Sequence, residues 1–125
     1  MPTNQITVHS YYGSVIVAVA PETLVMFVDG VITIVIPVAP ETTLFVSDAL
    51  FNCTTPALFT FEANYGAGDS IIANFGFDSP GVTMIKDLKT GVVIKGGAGG
   101  AALRLRVTAP AAAVADVTLR GYTES

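Results

Sequence analysis

Residues Gly13 to Asp48 read GSVIVAVAPETLVMFVDGVITIVIPVAPETTLFVSD, and the way this stretch is punctuated decides the fold. Four dense apolar runs are separated by three short turns, and no basic residue interrupts them. The segment VAPET occurs at Val19 to Thr23 and again at Val38 to Thr42, so a strand, Pro turn, strand pattern is written twice. Between the copies Asp29-Gly30 is flanked by LVMFV and VITIVI. An Asp-Gly pair between β-rich runs signals a two-residue hairpin, because the favoured turn needs positive φ at its central residues. The stretch therefore predicts a four-strand antiparallel meander. The repeat stops after two copies, which argues against a solenoid.

The runs are apolar on both faces. Side chains alternate across a strand, so Ile32, Ile34, Ile36 and Val38 point one way and Val31, Thr33, Val35 and Pro37 the other. A half-exposed antiparallel strand would alternate apolar with polar. Both faces of this run therefore require cover, from another sheet or another subunit. Pro37 cannot donate to a ladder and belongs at a strand end or edge.

The whole composition points the same way. A chain of 125 residues fits one domain, 1–125, with residues 1–4 as a short polar arm that orders against a neighbour. Only 13% of residues are charged, against about 25% in an ordinary soluble domain. A surface so poor in charge is expected to be covered in an oligomer or a larger assembly. Every apolar run is broken before the roughly 18 residues needed to span a bilayer, so no membrane partner is expected. The first residues, MPTNQITVHS, carry no basic region and no apolar core of a secretory signal. The single cysteine, Cys53, excludes an intrachain disulfide and suits a reducing cytoplasm.

Taken in order, Gln5 to His9 alternates as a first strand, and Tyr11-Tyr12-Gly13 reads as a turn into the meander. Ala49 to Pro56 (ALFNCTTP) reads as a loop. Ala57 to Ala63 is a strand with Phe59 and Phe61 inward and Thr60 and Glu62 outward. Asn64 to Ser70 is a Gly-rich loop, and Ile71 to Phe77 a strand with Ile71, Ala73, Phe75 and Phe77 inward. Val82 to Asp87 and Val92 to Lys95 are expected to pair across LKTG, and GGAGG (Gly96 to Gly100) is a connector. Ala102 to Thr108 alternates with Leu103, Leu105 and Val107 inward and Arg104 and Arg106 outward. Ala115 to Arg120 closes the chain. Ten or eleven short strands at this spacing predict an all-β fold, a single antiparallel β-sandwich of jelly-roll or Greek-key type. Its expected core is Val17, Phe27, Ile34, Phe59, Phe61, Phe75, Leu105 and Leu119.

No reaction is written in the chain. Gly97 to Ala102 matches G-x-G-x-x-A, but a strand follows it where a dinucleotide site needs a helix. His9 is the only histidine, with no nucleophile signature beside it, and one His with one Cys excludes a zinc site. Asp69, Asp78 and Asp87 lie in or beside turns without calcium-loop spacing. Asn52-Cys53-Thr54 fits the glycosylation sequon only formally in the absence of a secretory signal. No catalytic, cofactor or metal residue is assigned.

Two sets of residues are candidates for an interface. Tyr11, Tyr12 and Tyr65 lie near expected turns, where tyrosines serve as interface anchors or as sugar-stacking platforms. Arg104, Arg106 and Arg120 belong to a basic C-terminal third. Residues 1–85 hold seven acids and no Lys or Arg, whereas the last 40 hold all six basic residues and three acids. Strands that segregate these charges would give one subunit an acidic and a basic face; strands that interleave would pair them within one subunit. Nucleic acid is not an expected partner, since the formal net charge is −4 and no aromatic-basic cluster exists.

The short length, the polar arm Met1 to Asn4, the Ala/Gly/Val/Thr-rich strands and the ending ADVTLRGY together resemble the small β-sandwich accessory proteins of virions, the head-decoration or cement proteins of tailed bacteriophages. The resemblance implies a non-enzymatic protein of the virion, assembled in the host cytoplasm, that binds and stabilises an icosahedral shell as an oligomer. A carbohydrate-binding or adhesive β-sandwich is the alternative.

Overall fold

A computed structural model describes residues 6–17, 22–28, 31–86, 88, 92–109 and 112–125. The arm Met1 to Asn4, the tip of the first VAPET turn, and Asp29-Gly30 lie outside them. In chain order the strands are β1 (Ile6–Val17), β2 (Glu22–Thr23), β3 (Val25–Val28), β4 (Val31–Thr33), β5 (Ile36–Val38), β6 (Thr43–Cys53), β7 (Ala57–Asn64), β8 (Asp69–Phe77), β9 (Gly81–Ile85), β10 (Val93–Lys95), β11 (Ala101–Thr108) and β12 (Ala113–Glu124). They form two antiparallel sheets. The larger has the order β10-β6-β12-β1-β3-β4, with β9 also on β6, and the smaller β2-β11-β7-β8, with β5 also on β11.

Two pairs of these strands are each the halves of a longer one. Along β6, one side is taken for its whole length by β12, so β9, opposite Ala49 to Cys53, and β10, opposite Thr43 to Phe45, share the other side end to end. Likewise β7 covers one side of β11, and β2 and β5 share the other. Counting each pair as one strand leaves two sheets of four, between which the chain crosses at every step except the β7–β8 hairpin, as in a jelly roll, with the β3–β4 hairpin inserted and laid beside β1. The sandwich predicted from alternation is what forms.

The connections between strands are less local than the sequence suggests. The strands flanking Asp29-Gly30 pair as expected, with Val28 opposite Val31, but the four-strand meander does not form. After β4 the chain bends at Ile34-Val35, where the Val35 N–H donates to the Thr33 hydroxyl over 3.3 Å, and leaves for the other sheet as β5. That bend divides the doubly apolar run: Ile36 and Val38 enter the core, whereas Ile34 stays 56% exposed. Phe27, also expected in the core, points outward from β3 at 48% exposure, and Met26 takes the inner position. The side chain of Val17 lies outside the described residues, while Phe59, Phe61, Leu105 and Leu119 are fully buried and Phe75 packs against them.

Four further expectations are corrected. Tyr11-Tyr12-Gly13 is no turn, because β1 runs straight through it paired to β12 on one side and β3 on the other. ALFNCTTP is strand as far as Cys53, which brings Phe51 into the core. The expected pairing across LKTG does not form; β9 and β10 both pair with β6, and Leu88 between them tucks into the core. A β-bulge between Phe61 and Glu62 admits Ile72 as an extra residue, so Ile72 packs against the core and Ile71 is exposed.

The second VAPET turn and the GGAGG connector pack on each other. The Thr42 N–H donates to the Ala39 carbonyl at 3.2 Å around Pro40-Glu41, with Glu41 at φ 58°, as a type II turn requires of its third residue. Gly96 and Gly97 bind this corner through Gly96 N–H to Thr42 O and Glu41 N–H to Gly97 O, both 2.7 Å. A Cβ at Gly96 would run into the Ala39 carbonyl.

Phe51 sits among Phe59, Phe61, Phe75 and Phe77 of the opposite sheet, with ring centroids 4.8 to 6.2 Å away. Truncation of a buried phenylalanine costs about 3–5 kcal/mol. Phe51→Ala is therefore expected to lower the unfolding free energy by about that amount, and Phe27→Ala by under about 1 kcal/mol, since surface positions are nearly neutral. Urea unfolding of both variants at low protein concentration measures the contrast.

Candidate interaction surface

The outer face of the larger sheet is built by residues whose neighbours across the strands are fixed by register. One row runs Ile32, Phe27, Tyr12, Thr118, Leu50, Met84 across β4, β3, β1, β12, β6 and β9. A second runs Val8, Tyr122, Phe45, Val93 across β1, β12, β6 and β10. Between them lies Ser10, Arg120, Asp48. Apolar, polar and apolar rows thus alternate on a face that no other part of the described chain covers.

The pattern on β1 is inverted for a soluble strand. Thr7 and His9 point between the sheets, while Ile6 and Val8, its apolar pair, point outward, Val8 at 80% exposure. Near them a β-bulge leaves Ser47 unpaired, with Arg120 opposite Asp48 and Gly121 opposite Val46. A Cβ at Gly121 would collide with the Phe45 carbonyl, so glycine permits the close approach. The bulge opens a shallow hollow of about 460 Å³ lined by Ile6, Val8, Asp48, Arg120, Tyr122 and Glu124. Phe45 and Tyr122 stack beside it with centroids 4.8 Å apart. Among the described residues Arg120 and Asp48, though opposite in register, form no ion pair.

The centre of the outer face of the smaller sheet is charged and internally neutralised. Glu62 is 7% exposed and takes Arg104 Nε at 3.2 Å and Arg104 Nη2 at 3.0 Å. The same Nη2 reaches Asp69 at 2.8 Å, and Arg106 Nη1 lies 3.8 Å from Glu62. Arg104 and Arg106 are thus brought together, but with acids of their own chain: β11 lies against β7, so the charges interleave here. Arg106 Nε is buried without a partner among the described residues.

Of the tyrosines, Tyr11 departs from its expected surface role, buried to 5% exposure between the sheets and stacked on His9 at 5.5 Å. Tyr12 lies on the large outer face, and Tyr65 on the β7–β8 turn of the other sheet, so they form no common platform. His9 Nε2 and Thr123 Oγ1 are hydrogen-bonded at 3.0 Å beside a cavity of about 290 Å³ at one end of the sandwich, lined also by Tyr11, Val28 and Pro37. Among the described residues no group of three or more His, Cys, Asp or Glu is arranged to hold a metal ion; Asp69 is engaged by Arg104, and Asp87 lies outside them. Asp48, Phe45, Leu50, Val8 and Met84 were not singled out from sequence. The signal was present in the alternation of Ile6, Val8 and Tyr12, once β1 is read as unbroken.

Cys53 is buried, and desolvation pushes its thiol above the ordinary range, partly offset by a hydrogen bond from the Gly81 backbone. The thiolate is the reactive form. Iodoacetamide is therefore expected to label Cys53 in the native protein more than about 10-fold more slowly than in urea, followed by mass spectrometry. The Arg104–Glu62 contact predicts a second result. Arg104→Ala leaves a nearly buried carboxylate short of donors and is expected to cost about 1–3 kcal/mol, and Glu62→Gln in that background less than Glu62→Gln alone. A double-mutant cycle in urea measures the coupling.

No protein-family model matches the chain, and no curated protein is significantly similar to it. Solved structures are similar in fold. A subunit described under "Bacillus endospore appendages form a novel family of disulfide-linked pili" superposes with TM-score 0.58 at 6% identity, over 97% of this chain and 89% of that one. A chain of infectious bursal disease virus, Gx strain, aligns with TM-score 0.43 at 9% identity, over 98% of this chain and 36% of its own, so this chain spans about a third of it. At 6% identity the likeness to the first of these is one of fold alone.

Proposed function

We propose that the chain is a non-enzymatic structural assembly protein, a single-sandwich subunit that associates with itself and stabilises a protein shell in the manner of a virion decoration or cement protein, assembled in the host cytoplasm. The observation that carries this reading is the outer face of the larger sheet, with its apolar rows open to solvent on a chain only 13% charged. Contiguous exposed apolar surface on that scale marks an interaction site.

The chemistry of the interior supports the same reading. The only histidine is bound to a threonine hydroxyl and stacked on a tyrosine, with no acid or thiol joined to it among the described contacts. The fold neighbour described as a pilus subunit lends support in kind, since pili are assemblies. Those pili are disulfide-linked, whereas the one cysteine of this chain is buried, so association here is non-covalent. Tyr12 and Tyr65 lie on different sheets, which weighs against a sugar-stacking surface. No helix among the described residues is long and apolar enough to cross a membrane.

Size-exclusion chromatography with light scattering, run with and without dithiothreitol, together with a glycan array, tests the proposal. The expected result is an oligomer insensitive to reductant and no glycan binding. A monomer that binds a glycan would replace this reading with the carbohydrate-binding one.

A further inference from the structure

Resting on that reading, we infer that the partner of the large outer face is a second copy of the chain, docked face to face about a two-fold axis that runs along the strands between β12 and β6. Arg120 and Asp48 occupy the polar row of this face. They are direct register partners on adjacent strands, opposite in charge, and neither forms an ion pair or side-chain hydrogen bond among the described residues. An axis between their strands lays Arg120 of each copy over Asp48 of the other, making two identical contacts. A two-fold interface requires this reciprocity. An axis across the strands would instead bring like charges together.

The same axis matches the rest of the face. Tyr122 falls over Phe45, Thr118 over Leu50, and the apolar outer side of β1 over the strand formed by β9 and β10, where Met84 is exposed. Apolar rows then meet apolar rows, and the row of Ser10, Arg120 and Asp48 meets itself in reverse. Four strands about 4.8 Å apart and some 36 Å long present about 700 Å². A stable interface buries about 600–1,000 Å² on each partner. The four covered strands are thus enough for a dimer.

Sedimentation equilibrium of the full chain tests this, with circular dichroism confirming that each variant is folded. The wild type is expected to form a dimer, alone or as the unit of a larger oligomer. Arg120→Asp and Asp48→Arg should each weaken it more than about 100-fold, since each sets like charges against one another at both contacts, and such juxtaposition costs several kcal/mol. Mixed one to one, the two variants should pair with each other, because every contact in the mixed dimer is again between opposite charges. Restoration on mixing requires contact between chains and cannot arise within one. Val8→Asp, on the most exposed large apolar residue of the face, should also dissociate the dimer. Failure of the mixture to pair, or self-association of Val8→Asp at wild-type strength, overturns the inference. In the latter case the protein still assembles, through another surface, and the assembly function stands. A monomeric wild type whose binding to a shell is lost in Val8→Asp overturns it too, and gives the face to the shell.

Discussion

Phe51, near the C-terminal end of β6, reaches into four phenyl rings contributed by β7 and β8, and that contact holds the two sheets against each other. Tilted and edge-to-face pairs among these rings add about 0.5–1.5 kcal/mol each beyond the area they bury. Because β6 carries the central ring, it is held with β12 on one side and both β9 and β10 on the other. The rest of the larger sheet is then laid down outward from it by register, and so is the pattern of side chains on the outer face. The surface offered to a partner is in this sense the reverse side of the aromatic core.

Much of the sandwich was legible in alternation. In β11 the sequence LRLRV needs only a strand and a core to declare its two faces, and Phe59 and Phe61 do the same in β7. Phe51 escaped notice because Asn52, Thr54 and Pro56 beside it are turn-forming residues. In the structure Asn52 instead lies on the outer side of a strand, donating to Asp116 over 3.4 Å. Propensity was overridden there by cross-strand pairing, as is usual for β-structure. The bulges at Ser47 and Ile72 were equally hidden. Each shifts alternation by one residue, and only the partner strand reveals it.

The charge pattern shows the same limit. In sequence the acids precede the bases almost completely, yet Glu62 and Arg104 are opposite one another because β7 and β11 are neighbours in the smaller sheet. Chain order carries no statement about which strands lie side by side across a Greek key. Arg120 and Asp48 could be recognised as a complementary pair only after the register of β12 on β6 was known.

Sheet edges give the fold one more property. In the larger sheet one edge is the three-residue β4 and the other is divided between β9 and β10; in the smaller sheet one edge is divided between β2 and β5. Short and interrupted edges are poor templates for strand addition. Among the described residues the longest strand with a free side is β8, nine residues interrupted by the bulge at Ile72. A molecule with a single usable edge can join another along it once and then has none left. Among the described residues, strand pairing between two molecules through β8 therefore uses up the longest free edge, which limits continued addition of strands in a protein this rich in β-structure and this poor in charge.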